Sequence, residues 1–339
     1  MVILEDSFYM RLALSEAWKY QLLTYPNPAV GAVVVDGCGK ILARNAHKEA
    51  GKAHAELLAI RDAYTHLSED ESLKDIEDAA YLHKELTVRS KTLFSDCTIY
   101  VTLEPCNHHG KTPPCSKLIA DLGFKRAVIG VKDPNIDAAG GAEYLGSRGV
   151  EVKIGVEKAR CEDLIEPFLK WQEGRFLFFK LAQTLNGVID GGVISSMESR
   201  KWVHKVRSKV DRFVIGGNTV RVDRPLLDCR LSGGRAPDIS ILTRDFNKIE
   251  KDTPLFSVEN RRVDFIDDIK KLPKRGLVMV EGGGGTLRAL KGQIDWMVLF
   301  VAPFIKEGMG YNGTFGFEVV HQSSMAEDVI LWLRAEDGR

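Results

Sequence analysis

The chain has 339 residues, and its 47 Lys plus Arg are balanced by 47 Asp plus Glu, so it carries no formal net charge. That length exceeds a comfortable single core and makes two domains the expectation. The charge balance argues against a general nucleic-acid binder, no apolar run approaches the ~20 residues of a membrane span, and the start Met1-Val2-Ile3-Leu4-Glu5-Asp6 has no leader pattern. In the first domain, 1–150, residues 8–22 read as a helix, and 31–35 and 41–43 as strands across the Gly37-Cys38-Gly39-Lys40 turn. An amphipathic helix opens at His54, with Leu57, Ile60, Tyr64 and Leu67 at helical spacing. Residues 68–95 are rich in charge and read as a solvated surface insertion without chemical role, helical through 81–86; a lid or subunit contact is the alternative. Strands at 98–103 and 126–131 flank a short helix opened by Pro113-Pro114, carrying Leu118, Ile119 and Leu122 on one face and stopped by Gly123. This alternation predicts an α/β sandwich.

Residues 151–174 read as a join, with Leu164, Ile165, Phe168, Leu169 and Trp171 able to pack on either side. The patterning restarts over 175–339. Strands are expected at 176–182, 211–216, 238–243, 276–280 and 296–302, with helices at 199–210 and 286–291. Such an alternation predicts a mostly parallel sheet with helices on its faces.

Two places carry chemistry. His54-Ala55-Glu56 is followed fifty residues on by Pro105-Cys106 and Pro114-Cys115. One imidazole and two thiolates make three zinc ligands and leave a fourth position open for water, as a catalytic zinc requires. Glu56, two residues past the histidine, is placed as a proton shuttle. The pattern is close to the H-x-E…P-C-x-x-C signature of zinc-dependent base deaminases, but the spacer between the cysteines is eight residues. A cysteine at a helix start feels the positive end of the dipole, which favours the thiolate. A closed structural zinc with His108 or His109 as fourth ligand is the alternative, and Glu56 argues against it. Cys38, Cys97, Cys161 and Cys229 read as ordinary thiols, which fit a reducing cytoplasm. In the second half, Glu281-Gly282-Gly283-Gly284-Gly285-Thr286 lies between a strand and a helix, where backbone N–H groups can approach a phosphate. It is not a G-x-G-x-x-G. Gly216-Gly217-Asn218-Thr219 is a second glycine turn after a strand, and Lys180 sits inside an apolar one.

Tyr25-Pro26-Asn27-Pro28-Ala29-Val30-Gly31, Gly51-Lys52-Ala53-His54-Ala55-Glu56, the run from Tyr100 to Cys115 and Asp133-Pro134-Asn135 together resemble the bifunctional deaminase–reductases of riboflavin biosynthesis. The resemblance covers nearly the whole chain, and that family's eight-residue spacer explains the departure from C-x-x-C. It implies a cytidine-deaminase-like sandwich with zinc, followed by a dihydrofolate-reductase-like domain that uses NADPH. The implied reactions are hydrolytic deamination of a diaminopyrimidinone ribosylamino 5′-phosphate and reduction of its ribosyl chain to ribityl. The implied protein is a cytoplasmic homo-oligomer with a small-molecule substrate and no nucleic-acid or membrane partner.

By the same resemblance His54, Cys106 and Cys115 hold zinc and Glu56 is catalytic, while Asn27, His108 and Lys111 bind the deaminase substrate. Ala182, Thr219, Asp223 and the stretch Gly283, Gly284, Gly285, Thr286 bind NADPH, and Arg207, Leu227, Arg230 and Glu281 bind the reductase substrate. Arginines suit a sugar phosphate because their donors match its geometry. The chain departs from the family at Asn186, at Arg224 and in a shortened loop after Gly187 that places Gly191 where a serine is expected. A nucleoside or tRNA base deaminase would share the zinc chemistry without needing the second domain. A zinc-stabilised binding module would release no ammonia.

Overall fold

The computed structural model describes residues 5–90, 92–108, 113–135, 138–311 and 313–336. The chain divides into two units, Met1–Phe168 and Leu169–Arg339. The first holds α1 (Asp6–Trp18), β1 (Gly31–Val35), β2 (Ile41–Ala46), α2 (Ala55–Ser68), α3 (Ala79–Arg89), β3 (Thr98–Leu103), α4 (Cys115–Asp121), β4 (Arg126–Val131), α5 (Gly141–Ser147) and β5 (Glu151–Ile154). Its sheet runs β2-β1-β3-β4-β5. β1 is antiparallel to both neighbours, while β3, β4 and β5 are parallel. Successive strand residues face opposite layers. Ala32, Val34, Ile99 and Val101 pack with Leu57 and Ile60 of α2 and with Leu118 and Ile119 of α4. On the other face Tyr9 of α1 lies 5.0 Å from the Tyr100 ring, and Tyr100 donates to Asp6. Residues 151–174, read as a join, carry β5 and α6 (Lys158–Glu173), and the division between units falls within α6.

The segment 68–95 is not the solvated insertion expected from its composition. Leu73, Leu82, Leu86 and Phe94 are at most 1% exposed. All four belong to the same core as Ile60 and Leu118, and Phe94 stacks on Phe124 at 4.8 Å. Burying each such side chain contributes about 1.5–3 kcal/mol. Its charges, among them Asp70, Glu71, Lys74 and Glu77, stay on the outer side in surface ion pairs. Averaged composition saw those charges and not the apolar residues between them.

The second unit holds β6 (Arg175–Thr184), α7 (Met197–Arg207), β7 (Arg212–Gly216), α8 (Gly217–Asp223), β8 (Ile239–Leu242), β9 (Val263–Ile266), β10 (Gly276–Glu281), α9 (Gly284–Ala289), β11 (Trp296–Ala302), β12 (Phe317–Met325) and β13 (Asp328–Ala335). The eight-stranded sheet runs β12-β13-β11-β6-β10-β7-β8-β9. β11, β6, β10, β7, β8 and β9 pair in parallel, and β13 and β12 close that edge antiparallel. The central strands are apolar on both faces because both are covered. Phe176 packs on Trp296 at 5.5 Å, while Leu177, Phe179, Val278 and Val280 join Leu287 and Leu290 near α9. The fold class is the expected one, a deaminase-like α/β sandwich and a parallel-rich reductase-type sheet. Among the described residues, no helix is long and apolar enough to cross a membrane.

Candidate active sites

Strand and helix ends converge in the first unit. His54 is the N-cap of α2, and Cys115 is the first residue of α4. Cys106 follows two residues behind Glu104, which leaves the end of β3. His54 Nδ1 lies 3.6 Å from Cys106 Sγ and 3.5 Å from Cys115 Sγ, and all three donors sit within 4.8 Å of one another. A tetrahedral zinc with ordinary Zn–N and Zn–S bonds sets its N···S edges at about 3.6 Å. The donor set therefore fits a zinc ion in both chemistry and size. Among the described residues no fourth His, Cys, Asp or Glu joins the cluster. His108 is described and lies at the surface outside it. His109 and Lys111 fall outside the described residues.

The charges are arranged for a cation. A hydrogen bond from Cys115, together with the neighbouring His54, outweighs burial and holds the Cys106 thiol down at about 4. The same bond and burial push Cys115 well up. A divalent metal held here would take both sulfurs as thiolates and displace their protons. The Cys115 backbone N–H also donates to Cys106 Sγ at 3.4 Å. Glu56 is 4% exposed, and burial, opposed by His54, pushes its carboxyl up to about 7.

Two supporting residues escape a motif search. His47 at the end of β2 sits 3.1 Å from the Ala53 carbonyl through Nδ1 and 3.1 Å from Asn27 Nδ2 through Nε2. A carbonyl only accepts, so Nδ1 carries the proton and Nε2 accepts from Asn27. Burial pulls His47 down to about 4, which keeps that neutral tautomer. Asn27 is thereby oriented 20 residues away in sequence. The only sequence signal was a lone histidine seven residues before His54. Glu104, buried behind Cys106, accepts from the N–H groups of Asp133 and Ala142 and braces the loop after β4.

In the second unit the expected residues collect at strand ends. β10 and β7 pair in parallel, so the turns after Glu281 and Gly216 lie side by side. A Cβ on Gly216 would stand 2.1 Å from Thr286 Oγ1, and one on Gly282 2.4 Å away. Only glycine lets these two backbones close around Thr286. Gly283, Gly284 and Gly285 open α9, with Gly283 as its N-cap. The turn expected at 216–219 is instead the start of α8, which carries Thr219 and, at its end, Asp223. Ala182 pairs with Phe300 on β11, one pleat beyond Lys180.

Arg207 Nη2 reaches Glu281 Oε1 at 3.3 Å, its Nη1 donates to the Asp228 carbonyl, and it lies over the Phe213 ring. Arg230 Nη1 holds the Asp228 carboxylate at 2.7 Å. Leu227 is buried with φ 55°, and its carbonyl accepts from Arg261. Burial works against the Glu281 charge, but Lys180 and Arg207 keep its pKa below the usual value. The departures have local partners. Arg224 pairs with Glu250 and Asp252. Asn186 accepts from Thr184 and donates to the Lys306 carbonyl, and Lys306 donates to the Asp190 and Gly191 carbonyls.

Known proteins place both halves. Residues 4–131 match the cytidine and deoxycytidylate deaminase zinc-binding region, and residues 175–310 match the RibD C-terminal domain. The riboflavin biosynthesis protein RibD of Aquifex aeolicus is 32% identical over 97% of this chain and 98% of its own length. RibD of Actinobacillus pleuropneumoniae is 30% identical over 95% and 90%. A solved diaminohydroxyphosphoribosylaminopyrimidine deaminase/5-amino-6-(5-phosphoribosylamino)uracil reductase from Thermotoga maritima superposes with a TM-score of 0.64, at 29% identity over 97% of this chain and 98% of that one. With both halves matched and full-length relatives on either side, the chain belongs to the RibD family of bifunctional riboflavin-biosynthesis enzymes, a zinc-dependent deaminase joined to an NADPH-dependent reductase.

Proposed function

We propose that the first unit deaminates a diaminopyrimidinone ribosylamino 5′-phosphate and that the second reduces the ribosyl chain of the resulting aminouracil to ribityl. The similarity to the Thermotoga maritima enzyme supports these substrates. The observation that carries the first assignment is the pair of 3.5 and 3.6 Å donor edges beside a buried carboxyl. In this reading His54, Cys106 and Cys115 hold the zinc. When bound, zinc supplies a water acidified to near neutral pH. Glu56 takes the two protons of the water in turn, passing the first to the ring nitrogen and the second to the leaving amine, so amidine plus water gives carbonyl plus ammonia. Asn27, oriented by His47, and His108 take the pyrimidine or sugar, and Lys111 takes the 5′-phosphate.

In the second unit Arg207, Leu227, Arg230 and Glu281 take the substrate, with Arg207 and Arg230 on its ribose phosphate. Thr219, Asp223, Ala182 and Gly283 to Thr286 take NADPH, which supplies the hydride while the protein orients it. That none of the six cysteines is paired in a disulfide supports a reducing compartment such as the cytoplasm. Incubation with the diaminopyrimidinone phosphate and mass analysis test the assignment. Without NADPH one amine is exchanged for oxygen with ammonia released, and with NADPH the product gains two further hydrogens. No ammonia from the zinc-loaded chain defeats it.

A further inference from the structure

We infer that Arg261 is a positioning residue of the second unit's site: its guanidinium holds the backbone of Leu227 in the conformation from which Asp228 aims Arg230. This rests on the reading of Leu227 and Arg230 as substrate-binding residues. Leu227 has φ 55°, in the left-handed region that a leucine rarely enters. Such a conformation persists only where its surroundings over-determine it. Arg261 supplies that constraint. Its Nη1 donates to the Leu227 carbonyl at 2.8 Å, and its Nη2 donates to the Leu226 carbonyl at 3.0 Å and to the Leu255 carbonyl. The Leu226 and Leu227 carbonyls belong to the two peptide planes that meet at the Leu227 Cα. Each plane is rigid, so one planar guanidinium that grips both fixes φ and ψ between them. Leu255 is fully buried in the short turn Pro254–Ser257, which ties the same guanidinium to a fixed point.

The constraint passes along the chain to Arg230. The next carbonyl, that of Asp228, accepts from Arg207 Nη1 at 3.0 Å, so two guanidiniums hold three consecutive carbonyls. The Asp228 carboxylate in turn accepts from Arg230 Nη1 at 2.7 Å. The Arg230 side chain is 56% exposed, and a long exposed side chain has many rotamers to choose from. Its bond to Asp228 selects one direction, and that direction is set by where the backbone places Asp228. Arg261 reaches the loop from 34 residues beyond Leu227 in sequence. Its own Nε is buried without a partner, so the head group is seated for the carbonyls and forgoes one donor to reach them. A lysine at this position would keep the charge but gather its donors at one point, and it could not span the two peptide planes.

In the full zinc-loaded chain, Arg261→Lys should raise the KM for the aminouracil phosphate roughly tenfold or more, since a displaced positioning group can cost up to about 10²-fold. The KM for NADPH and the rate of ammonia release should stay at their wild-type values. A merely structural role predicts a lower melting temperature with every KM unchanged while the chain is folded, and that result overturns the inference. A double-mutant cycle with Arg230→Ala tests the line of action. Once Arg230 is gone, Arg261→Lys should raise KM little further, and effects that simply multiply overturn the inference. Nitrogen NMR of the unmodified chain provides a test that needs no variant, because the Arg261 guanidinium must show restricted rotation with separate Nη signals, and a freely rotating one excludes the bonds. Arg230→Ala alone separates this claim from the reading beneath it. Wild-type KM in Arg230→Ala defeats that reading, whereas a raised KM there beside a wild-type KM in Arg261→Lys defeats the positioning role alone.

Discussion

The donor cluster of the first unit and the strand ends of the second are built from different material. Around the proposed metal position stand side chains whose type matters, an imidazole and two thiols gathered within 4.8 Å. At the ends of β7 and β10, the proposed cofactor position, the material is backbone, packed around Thr286 where Gly216 and Gly282 carry no side chain. A side-chain site is intolerant of chemical change and leaves a residue signature. A backbone site is intolerant of added volume and leaves only glycines, which many turns also use. The two sites should therefore fail under different substitutions, and each should leave the other's reaction intact.

The largest effect is expected at Glu56. Glu56→Gln should lower ammonia release by roughly 10²–10⁴-fold, the usual worth of a positioned acid–base group. Because Glu56 lies outside the donor cluster, metal analysis should still find zinc bound. Reduction of the aminouracil intermediate should be unchanged, and near-normal ammonia release would remove Glu56 from the mechanism.

Next comes Arg207. Its side chain is 8% exposed and pairs with the partly buried Glu281, and removing one partner of a largely buried pair costs up to about 3 kcal/mol. Arg207→Leu should raise the KM for the aminouracil phosphate and lower the melting temperature, with ammonia release measured at the same temperature unaffected. An unaltered KM would place the substrate phosphate elsewhere.

Added volume is the specific threat to the glycine site. Gly216→Ala forces Thr286 to move, a change worth about 1–3 kcal/mol. Since about 1.4 kcal/mol is tenfold in affinity, NADPH binding followed by fluorescence should weaken by roughly that factor or more. Tight NADPH binding in this variant would separate Thr286 from the cofactor.

The smallest effect lies away from both sites. Asp6 is partly buried, which opposes its charge, but hydrogen bonds from Arg126, Lys153 and Tyr100 hold its carboxyl well below the usual range. A depressed carboxyl stabilises the fold above its unfolded value of about 3.9, and that stabilisation is lost as pH falls through the folded value. Asp6→Asn should therefore cost about 1–2 kcal/mol near neutral pH, and the gap from wild type should close progressively in acid. A gap that stays constant with pH would show that the carboxylate charge is not what matters.

The same contrast explains what was legible in the sequence. His54, Cys106 and Cys115 stood out because few other residue types bind zinc and because each sits at an element boundary that periodicity could locate. The apolar strands Arg126–Val131 and Trp296–Ala302 stood out for the same reason, being continuous runs covered on both faces. β9 and β12 did not, since both are exposed along much of their length and offer no such run. Leu82 and Leu86, at helical spacing, were the signal that α3 is core, but Glu69, Asp70, Glu71 and Asp75 outweighed them in composition. His47 and Glu104 act through Asn27 and the loop after β4, so only their distances reveal them. Gly216 to Thr219 was legible as glycine-rich, but whether it turned or began a helix depended on the packing against Thr243 and Thr286.

The most direct test of two separate chemistries on one chain is to strip the metal and supply each substrate in turn. With chelator present, the diaminopyrimidinone phosphate should yield no ammonia, while the aminouracil phosphate should still oxidise NADPH at the rate of the zinc-loaded protein. Loss of both reactions together on metal removal would contradict the account.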